Sequence, residues 1–239
     1  MLKALVTGAT SGIGRAIAIA LHEAGHEVAA LGRDAAALAD LSARGIAPLP
    51  CDLGDPAATA AALEERAFDI LVNTAGKMPP MGDVCDLPPD EIDRALTVNL
   101  NAALHATRAV TPGMRARRRG HVFFTGSTAG HAPFAGLALY CATKAAIGGF
   151  AQALRLDLSP HGVRVTEIVA GRVESGLYKE LLSPEARAAM YAGASAVQPE
   201  DVAAMVLAVL NLPDHADVAR FDILPTRQAT ATGLQKKDS

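Results

Sequence analysis

LVTGATSGIG, residues 5–14, leaves a short apolar run, turns through small residues and enters a segment of helical character. A strand that feeds a glycine-rich turn and then a helix suits a pyrophosphate. Glycines admit the tight turn and the close approach of the phosphates, while the free N–H groups and positive dipole of a helix start attract the charge. The usual dinucleotide fingerprint is G-x-G-x-x-G, with an acid about 20 residues on. Here three residues separate Gly8 from Gly12, and Gly14 follows. The candidate cofactor loop is therefore Gly8, Thr10, Ser11, Gly12, Ile13 and Gly14, and the meaning of its spacing depends on the rest of the chain.

Seven short apolar runs punctuate the sequence: KALVTG (3–8), HEVAALG (26–32), GIAPLPC (45–51), FDILVNTAG (68–76), GHVFFTG (120–126), GVRVTEIVAG (162–171) and ARFDILP (219–225). Between them lie helix-like segments at 13–24, 35–44, 56–66, 90–112, 140–159 and 199–211. Alternation of this kind predicts a parallel sheet covered on both faces. With right-handed crossovers it gives one doubly wound α/β domain of the Rossmann type, strand order 3-2-1-4-5-6-7. Asp34 before AAALADL reads as a helix cap, and Asp55-Pro56 as a helix start. The stretch 172–198 breaks the rhythm and is the candidate substrate-covering segment. The polar tail 228–239 is expected to be loose or to pack on a neighbouring subunit.

Composition narrows the function classes. A net charge of −3 argues against nucleic acid or an acidic membrane surface as partner. The one basic cluster, Arg115, Arg117, Arg118 and Arg119, reads as a solvated helix end. Three cysteines, Cys51, Cys85 and Cys141, have no paired spacing, so neither a disulfide framework nor a metal site is expected. The opening MLKALV is no signal peptide, and no apolar run has the length of a membrane span, which sets a cytoplasmic expectation.

Ligands in doubly wound sheets sit at the carboxyl ends of the strands, so polar residues there are the ones to examine. They are Thr7–Gly14, Gly32–Arg33, Asp52, Asn73–Gly76, Gly126–Ser127 and Gly171–Ser175. Tyr140 and Lys144 lie four apart on one helix face. A free tyrosine, with a pKa of about 10, exchanges protons poorly near neutrality, and an adjacent ammonium lowers that value. Ser127 follows an apolar strand and can donate to an oxygen on which negative charge grows. Asn99 is a polar residue among apolar neighbours in a helix. Singly, each has a plain structural reading: a glycine turn, a surface Tyr–Lys pair, a turn serine, and an amide bonded to its own helix.

Together, and in this order, these motifs are specific. With Thr7-Gly8-x-x-x-Gly12-Ile13-Gly14, Asn73-Thr74-Ala75-Gly76, Asn99, Ser127 and Tyr140-x-x-x-Lys144, the chain resembles the short-chain dehydrogenase/reductase family in its compact form, from Lys3 to about Thr226. The resemblance accounts for the glycine spacing. It implies that Tyr140 is the general acid/base and that Lys144 lowers its pKa and holds the nicotinamide ribose. It also implies that Ser127 polarises the substrate carbonyl and that Asn99 anchors a proton-relaying water. Asn73, Ala75 and Gly76 would line the cofactor, Asp52 and Leu53 would meet the adenine, and Val173 and Ser175 would touch the nicotinamide end. Hydride would pass directly between nicotinamide and a substrate carbon, without a metal. Homodimers or homotetramers through helices 90–112 and 140–159 are expected on the same ground. The sequence departs from the family in Thr74, where a second Asn is usual, and in Ala170, where Pro is usual and whose loss would loosen the following segment.

The end of the second strand decides between NAD and NADP. A carboxylate there accepts both ribose hydroxyls, whereas a 2′-phosphate wants a cation. Alternation through Val28–Leu31 puts the strand end on Gly32, leaves Asp34 to cap the next helix and frees Arg33 to fork onto a phosphate. NADP (NADPH) is therefore expected over NAD. Residues expected to wall the substrate are Lys77, Met78, Pro80, Met81, His131, Phe134, Leu177, Tyr178 and Leu181. That mostly apolar set suits a carbonyl on a small molecule. The closing FDILPTRQ is similar to a family branch acting on small hydroxy acids and aldehydes, in which Lys77 and Arg172 would meet an acidic group. The alternatives are an NAD-dependent polyol or hydroxy-acid dehydrogenase and a non-catalytic NADP-sensing regulator. The presence of both Tyr140 and Lys144 argues against the regulator.

Overall fold

The structure, a computed structural model, describes residues 1–227, so the tail 228–239 lies outside the described residues. Among those residues, strands β1 (Lys3–Thr7), β2 (Glu27–Gly32), β3 (Ala47–Pro50), β4 (Ile70–Asn73), β5 (Gly120–Thr125), β6 (Val163–Ala170) and β7 (Arg220–Ile223) form one sheet. Its order is β3-β2-β1-β4-β5-β6-β7, all parallel, as the sequence predicts.

Two-residue periodicity builds a core on each face. Ala4, Val6, Ile70, Val72, Phe123 and Ile168 point to one side, where α1 (Gly12–Glu23), α2 (Ala35–Ala43) and α8 (Pro199–Leu210) supply Ile17, Leu21, Leu38, Leu41, Val202 and Val206. Leu5, Leu71, Val122, Phe124, Val163 and Val165 point to the other. There α3 (Pro56–Leu63), α5 (Ala102–Arg117) and α6 (Ala138–Leu158) supply Leu63, Ala106, Val110, Met114, Ile147 and Ala151. The predicted helix starts are real. Asp34 Oδ1 accepts the Ala37 N–H at 3.0 Å, and Asp55 Oδ1 accepts those of Ala57 and Ala58 at 2.9 and 3.1 Å.

Three expectations are corrected. The helix expected at 90–112 starts as α4 (Pro89–Leu96), passes through a π turn at Thr97–Asn101 and continues as α5 to Arg117, five residues past Pro112. Proline removes one ladder bond, but Met114 beyond it is fully buried, and that burial carries the helix on. The helix stops at Arg118, which takes the left-handed φ of 53°.

The arginine run is not simply solvated. Arg119 and Arg117 reach Asp69 Oδ1 at 3.0 and 3.7 Å, Arg117 donates to the Phe68 carbonyl at 2.6 Å, and Arg118 donates to that of Pro160 at 3.0 Å. Asp69 also accepts the Lys3 N–H at 3.1 Å, so one carboxylate ties the start of β1 to the entry of β5.

The stretch 172–198 is also more ordered than its pattern suggested. It contains a 3-10 turn, Gly176–Tyr178, and a helix α7 (Pro184–Tyr191) capped by Ser183. A parallel bridge between Val173 and Val197 closes its base, with N–H···O bonds of 2.9 Å on either side. Ala170 in place of proline therefore does not leave this base loose. No helix among the described residues is long and apolar enough to cross a membrane.

Burial pushes the Asp69 carboxyl up, but the Lys3 N–H and the Arg119 and Arg117 guanidiniums outweigh it and hold the group below its ordinary value. The stabilisation is therefore present above about pH 4 and lost as pH falls through the native value. Asp69→Asn is expected to cost about 2 kcal/mol at neutral pH. Urea unfolding at pH 7 and pH 3 checks this, and the gap between wild type and variant should narrow at the acid pH.

Candidate active site

The glycine loop is built by close approach. Gly8 and Gly12 have φ of 65° and 49°. A methyl on Gly8 would lie 2.8 Å from the Ala75 backbone, and one on Gly14 would lie 2.4 Å from the Gly8 carbonyl oxygen and the Thr74 hydroxyl. Thr7 Oγ1 accepts the N–H groups of Thr74 and Ala75 at 3.2 and 3.4 Å, and Thr74 Oγ1 donates to the Thr7 carbonyl. The threonine that departs from the family pattern thus fastens the loop after β4 to the loop after β1. Ser11, the residue before α1, makes no capping bond with its side chain, so its hydroxyl does not occupy the first amides of the helix. Asn73 donates to Thr107 Oγ1 at 3.2 Å and keeps a buried Oδ1 unpartnered among the described residues. A phosphate-sized anion fits this cradle: glycines where side chains cannot go, and uncapped helix amides. Ser175 arches over the loop, its Cβ 3.2 Å from where a methyl on Gly12 would stand.

At the next strand end Gly32 lies against Thr10, whose Cγ2 would be 2.5 Å from an added methyl. Asp34 is turned away, capping α2. The Arg33 side chain is 71% exposed and meets Asp52 Oδ2 at 3.5 Å. Asp52 also accepts the Gly54 N–H at 2.9 Å, while Leu53 is buried behind it. An exposed pair of this kind is weak, so Arg33 keeps most of its donors available.

The other predicted residues converge at the ends of β4 and β5. The π turn carries Asn99 inward to full burial. Its Oδ1 accepts the Lys77 N–H at 2.7 Å and its Nδ2 donates to the Lys77 carbonyl at 2.9 Å, a two-pronged grip on the loop after Gly76. Lys144 is buried, donates to the Thr125 carbonyl at 2.7 Å and stands 5.8 Å from the centre of the Tyr140 ring. Ser127 Oγ accepts the Ala129 N–H at 3.1 Å, which fixes the hydroxyl beside Tyr140.

Comparison with known proteins agrees with this geometry. The model of the short chain dehydrogenase family matches residues 3–186. The chain belongs to that family. A short-chain type dehydrogenase/reductase of Sinorhizobium fredii, itself uncharacterized, is 44% identical over 98% of this chain and 95% of its own. The NADP-dependent 3-hydroxy acid dehydrogenase of Escherichia coli is 34% identical, covering 95% of this chain and 96% of its own. The closed form of serine dehydrogenase complexed with NADP+ superposes over 100% of both chains with a TM-score of 0.91 at 32% identity.

Within this short-chain dehydrogenase, Tyr140 departs from the simple expectation. Burial, with Tyr178 nearby, pushes its hydroxyl well above the ordinary value, against a downward pull from Ser127. Burial prevails in the resting site, where Lys144 bonds the Thr125 carbonyl. Around Tyr140 gather Met78, Phe134, Leu137, Leu177, Tyr178 and Leu181, five of them among the expected wall residues. Pro80 joins Tyr140 in a small recess closed by a 2.9 Å bond from Gly82 N–H to the Gly136 carbonyl. Met81 is half-buried on the same loop. Lys77 turns to Glu91 at 3.5 Å, and Arg172 donates to the Met190 carbonyl at 3.2 Å. His131 does not join the wall but bonds Glu167 at 2.9 Å. Glu167 escaped the sequence reading; its only signal was a carboxylate on the strand face that otherwise carries Val163, Val165 and Val169.

Gly8→Ala combines a strained φ with a backbone clash and is expected to weaken dinucleotide binding tenfold or more, about 1.4 kcal/mol at least. Fluorescence titration with NADPH measures the loss, and circular dichroism should show the fold retained.

Proposed function

We propose that this chain is an NADP-dependent oxidoreductase interconverting a carbonyl and an alcohol on a small molecule, with hydroxy acids and their oxo counterparts as the first substrate class to test. The observation that carries the reaction is Tyr140, a buried hydroxyl set between Ser127 and a mostly apolar wall, with an ammonium against its ring. At neutral pH the phenol is protonated and is a donor for carbonyl reduction. Ser127 donates to the same substrate oxygen, and Lys144 stabilises the phenolate as the proton leaves. Bound NADPH would supply the hydride. Gly8, Thr10 and Ser11 through Gly14 would hold its pyrophosphate, while Asn73, Ala75, Gly76, Val173 and Ser175 would line its length.

NADP over NAD is supported by the strand-end chemistry, with Asp34 occupied as a helix cap and Arg33 projecting into solvent. The NADP-dependent relatives support it as well. The 3-hydroxy acid and serine dehydrogenases among the similar proteins support an acidic substrate. Arg172 is the better-placed cation for it, beside Tyr178 and half-buried, since the charge of Lys77 is matched by Glu91. The stretch 172–198 would cover the substrate, and assembly as a homodimer or homotetramer through α4–α5 and α6 belongs to the same reading.

An NADPH-oxidation screen over oxo acids, aldehydes and cyclic ketones tests the reaction, and Tyr140→Phe should lose nearly all turnover. Arg33→Ala is expected to raise KM for NADPH about tenfold, roughly the worth of one charge-assisted phosphate contact, and to spare NADH. A wild type that prefers NADH would sink the cofactor assignment.

A further inference from the structure

Glu167 is a buried carboxylate that the proposed reaction leaves without a task. It is 1% exposed and lies on β6 with the parity of Val163 and Val165, whose side chains face α6. Two glycines make room for it. A methyl on Gly126 would stand 2.4 Å from Glu167 Oε1, and one on Gly148 would stand 3.0 Å from the same atom. Both glycines neighbour Lys144. Gly148 is four residues on, one turn along the same helix face. Gly126 follows Thr125, whose carbonyl holds the Lys144 ammonium. Glu167 Oε1 bonds His131 Nε2 at 2.9 Å, and Oε2 is buried without a partner among the described residues. A carboxylate so enclosed is costly unless a positive charge compensates it.

We propose that Glu167 is a positioning residue: its carboxylate, one helical turn from Lys144, keeps that ammonium charged during turnover. The role in turnover rests on the reaction proposed above; the coupling between the two buried charges does not. Burial pulls Lys144 down to about 8, and Glu167 is the group that pushes back. The His131 side chain, bonded to Glu167, is 30% exposed.

The other charged groups around this centre are engaged elsewhere. Tyr140 on α6 and Tyr178 beyond it carry protons, and Asn99 and Thr143 are neutral. Arg164 on β6 donates to the carbonyls of Leu212 and Ala216. Arg220 on β7, in register with Glu167, pairs with Asp222 at 2.9 Å, and His121 on β5 bonds Thr166 at 2.7 Å. On α4, which packs against α6, Asp90 and Glu91 pair with Arg94 and Lys77, and Asp93 is exposed. Arg155, farther along α6, pairs with Asp217, and His161 lies beyond the helix end.

The test is an NMR titration of full-length protein labelled with 13C-lysine, the Lys144 signal being identified by its loss in Lys144→Met. Wild type should titrate near 8. Glu167→Gln should lower the midpoint by about one pH unit. His131→Arg should lower it too, since a fixed guanidinium neutralises Glu167. His131 is partly exposed, so this variant keeps the question open to measurement if Glu167→Gln fails to fold. An unmoved midpoint in Glu167→Gln, or in His131→Arg where that is the folded variant, overturns the coupling. The alkaline limb of kcat/KM for reduction should follow the midpoint; a limb that stays while the midpoint moves overturns the role in turnover. If no carbonyl compound is reduced at all, it is the proposed reaction that falls, and the titration still decides the coupling.

Discussion

The loops after β1 and β4 meet backbone against backbone, at a distance no side-chain carbon could share. Gly8 lies against Ala75, Gly14 lies under the Gly8 carbonyl and the Thr74 hydroxyl, and Thr74 donates two hydrogen bonds to Thr7 across the seam. The rest of the site is hung from this contact. It aims the first amides of α1 outward, sets the direction in which the chain leaves Gly76, and so places the Lys77 backbone where Asn99 grips it. Asn99 comes from the π turn, and the helix that continues from that turn packs under the same sheet face as α6, which bears Tyr140 and Lys144. A tight seam between two neighbouring strand ends thus becomes a common frame for the proposed cofactor loop and the Tyr140–Lys144 cluster.

Most of the fold was legible because it is written in local chemistry. Strand parity, Asp34 and Asp55 as caps, and proline at helix starts all act within a few residues, and each predicted strand is present. The missed features depend on contacts the chain makes later. Pro112 reads as a stop until Met114 is seen buried beyond it. The arginines at 117–119 read as solvent-facing until Asp69, some 50 residues earlier in the chain, is seen beneath them. Helix α7 was within reach, since Ser183-Pro184-Glu185 is a good start, but the short, weakly patterned segment that follows hid it. Among the site residues, Tyr140, Lys144, Ser127 and Asn99 came from motif and order. Glu167 did not, because one inward acid on a strand has no motif to belong to.

The electrostatics around Tyr140 and Lys144 follow from dryness. Apolar neighbours keep Tyr140 protonated and make a positive charge at Lys144 expensive to hold. The same burial that favours a neutral phenol therefore works against the ammonium expected to stabilise its conjugate base. A site of this kind has to hold the ammonium with negative potential from fixed groups. Here these are the Thr125 carbonyl, which orients the ammonium, and the Glu167 carboxylate behind the helix.

The seam also constrains how the chain reaches its native state. β1 sits at the middle of the sheet, between β2 and β4, although it is made first. Its pairing with β2 spans about 24 residues, but Thr7 must wait for Asn73, Thr74 and Ala75 before its hydroxyl and carbonyl find partners. During synthesis the β1–β2 unit therefore exposes one open strand edge until β4 has emerged and docked. Closing so distant a pair costs chain entropy before any contact repays it, so docking of β4, rather than formation of the glycine turn, is the step at which a dinucleotide-competent loop first exists.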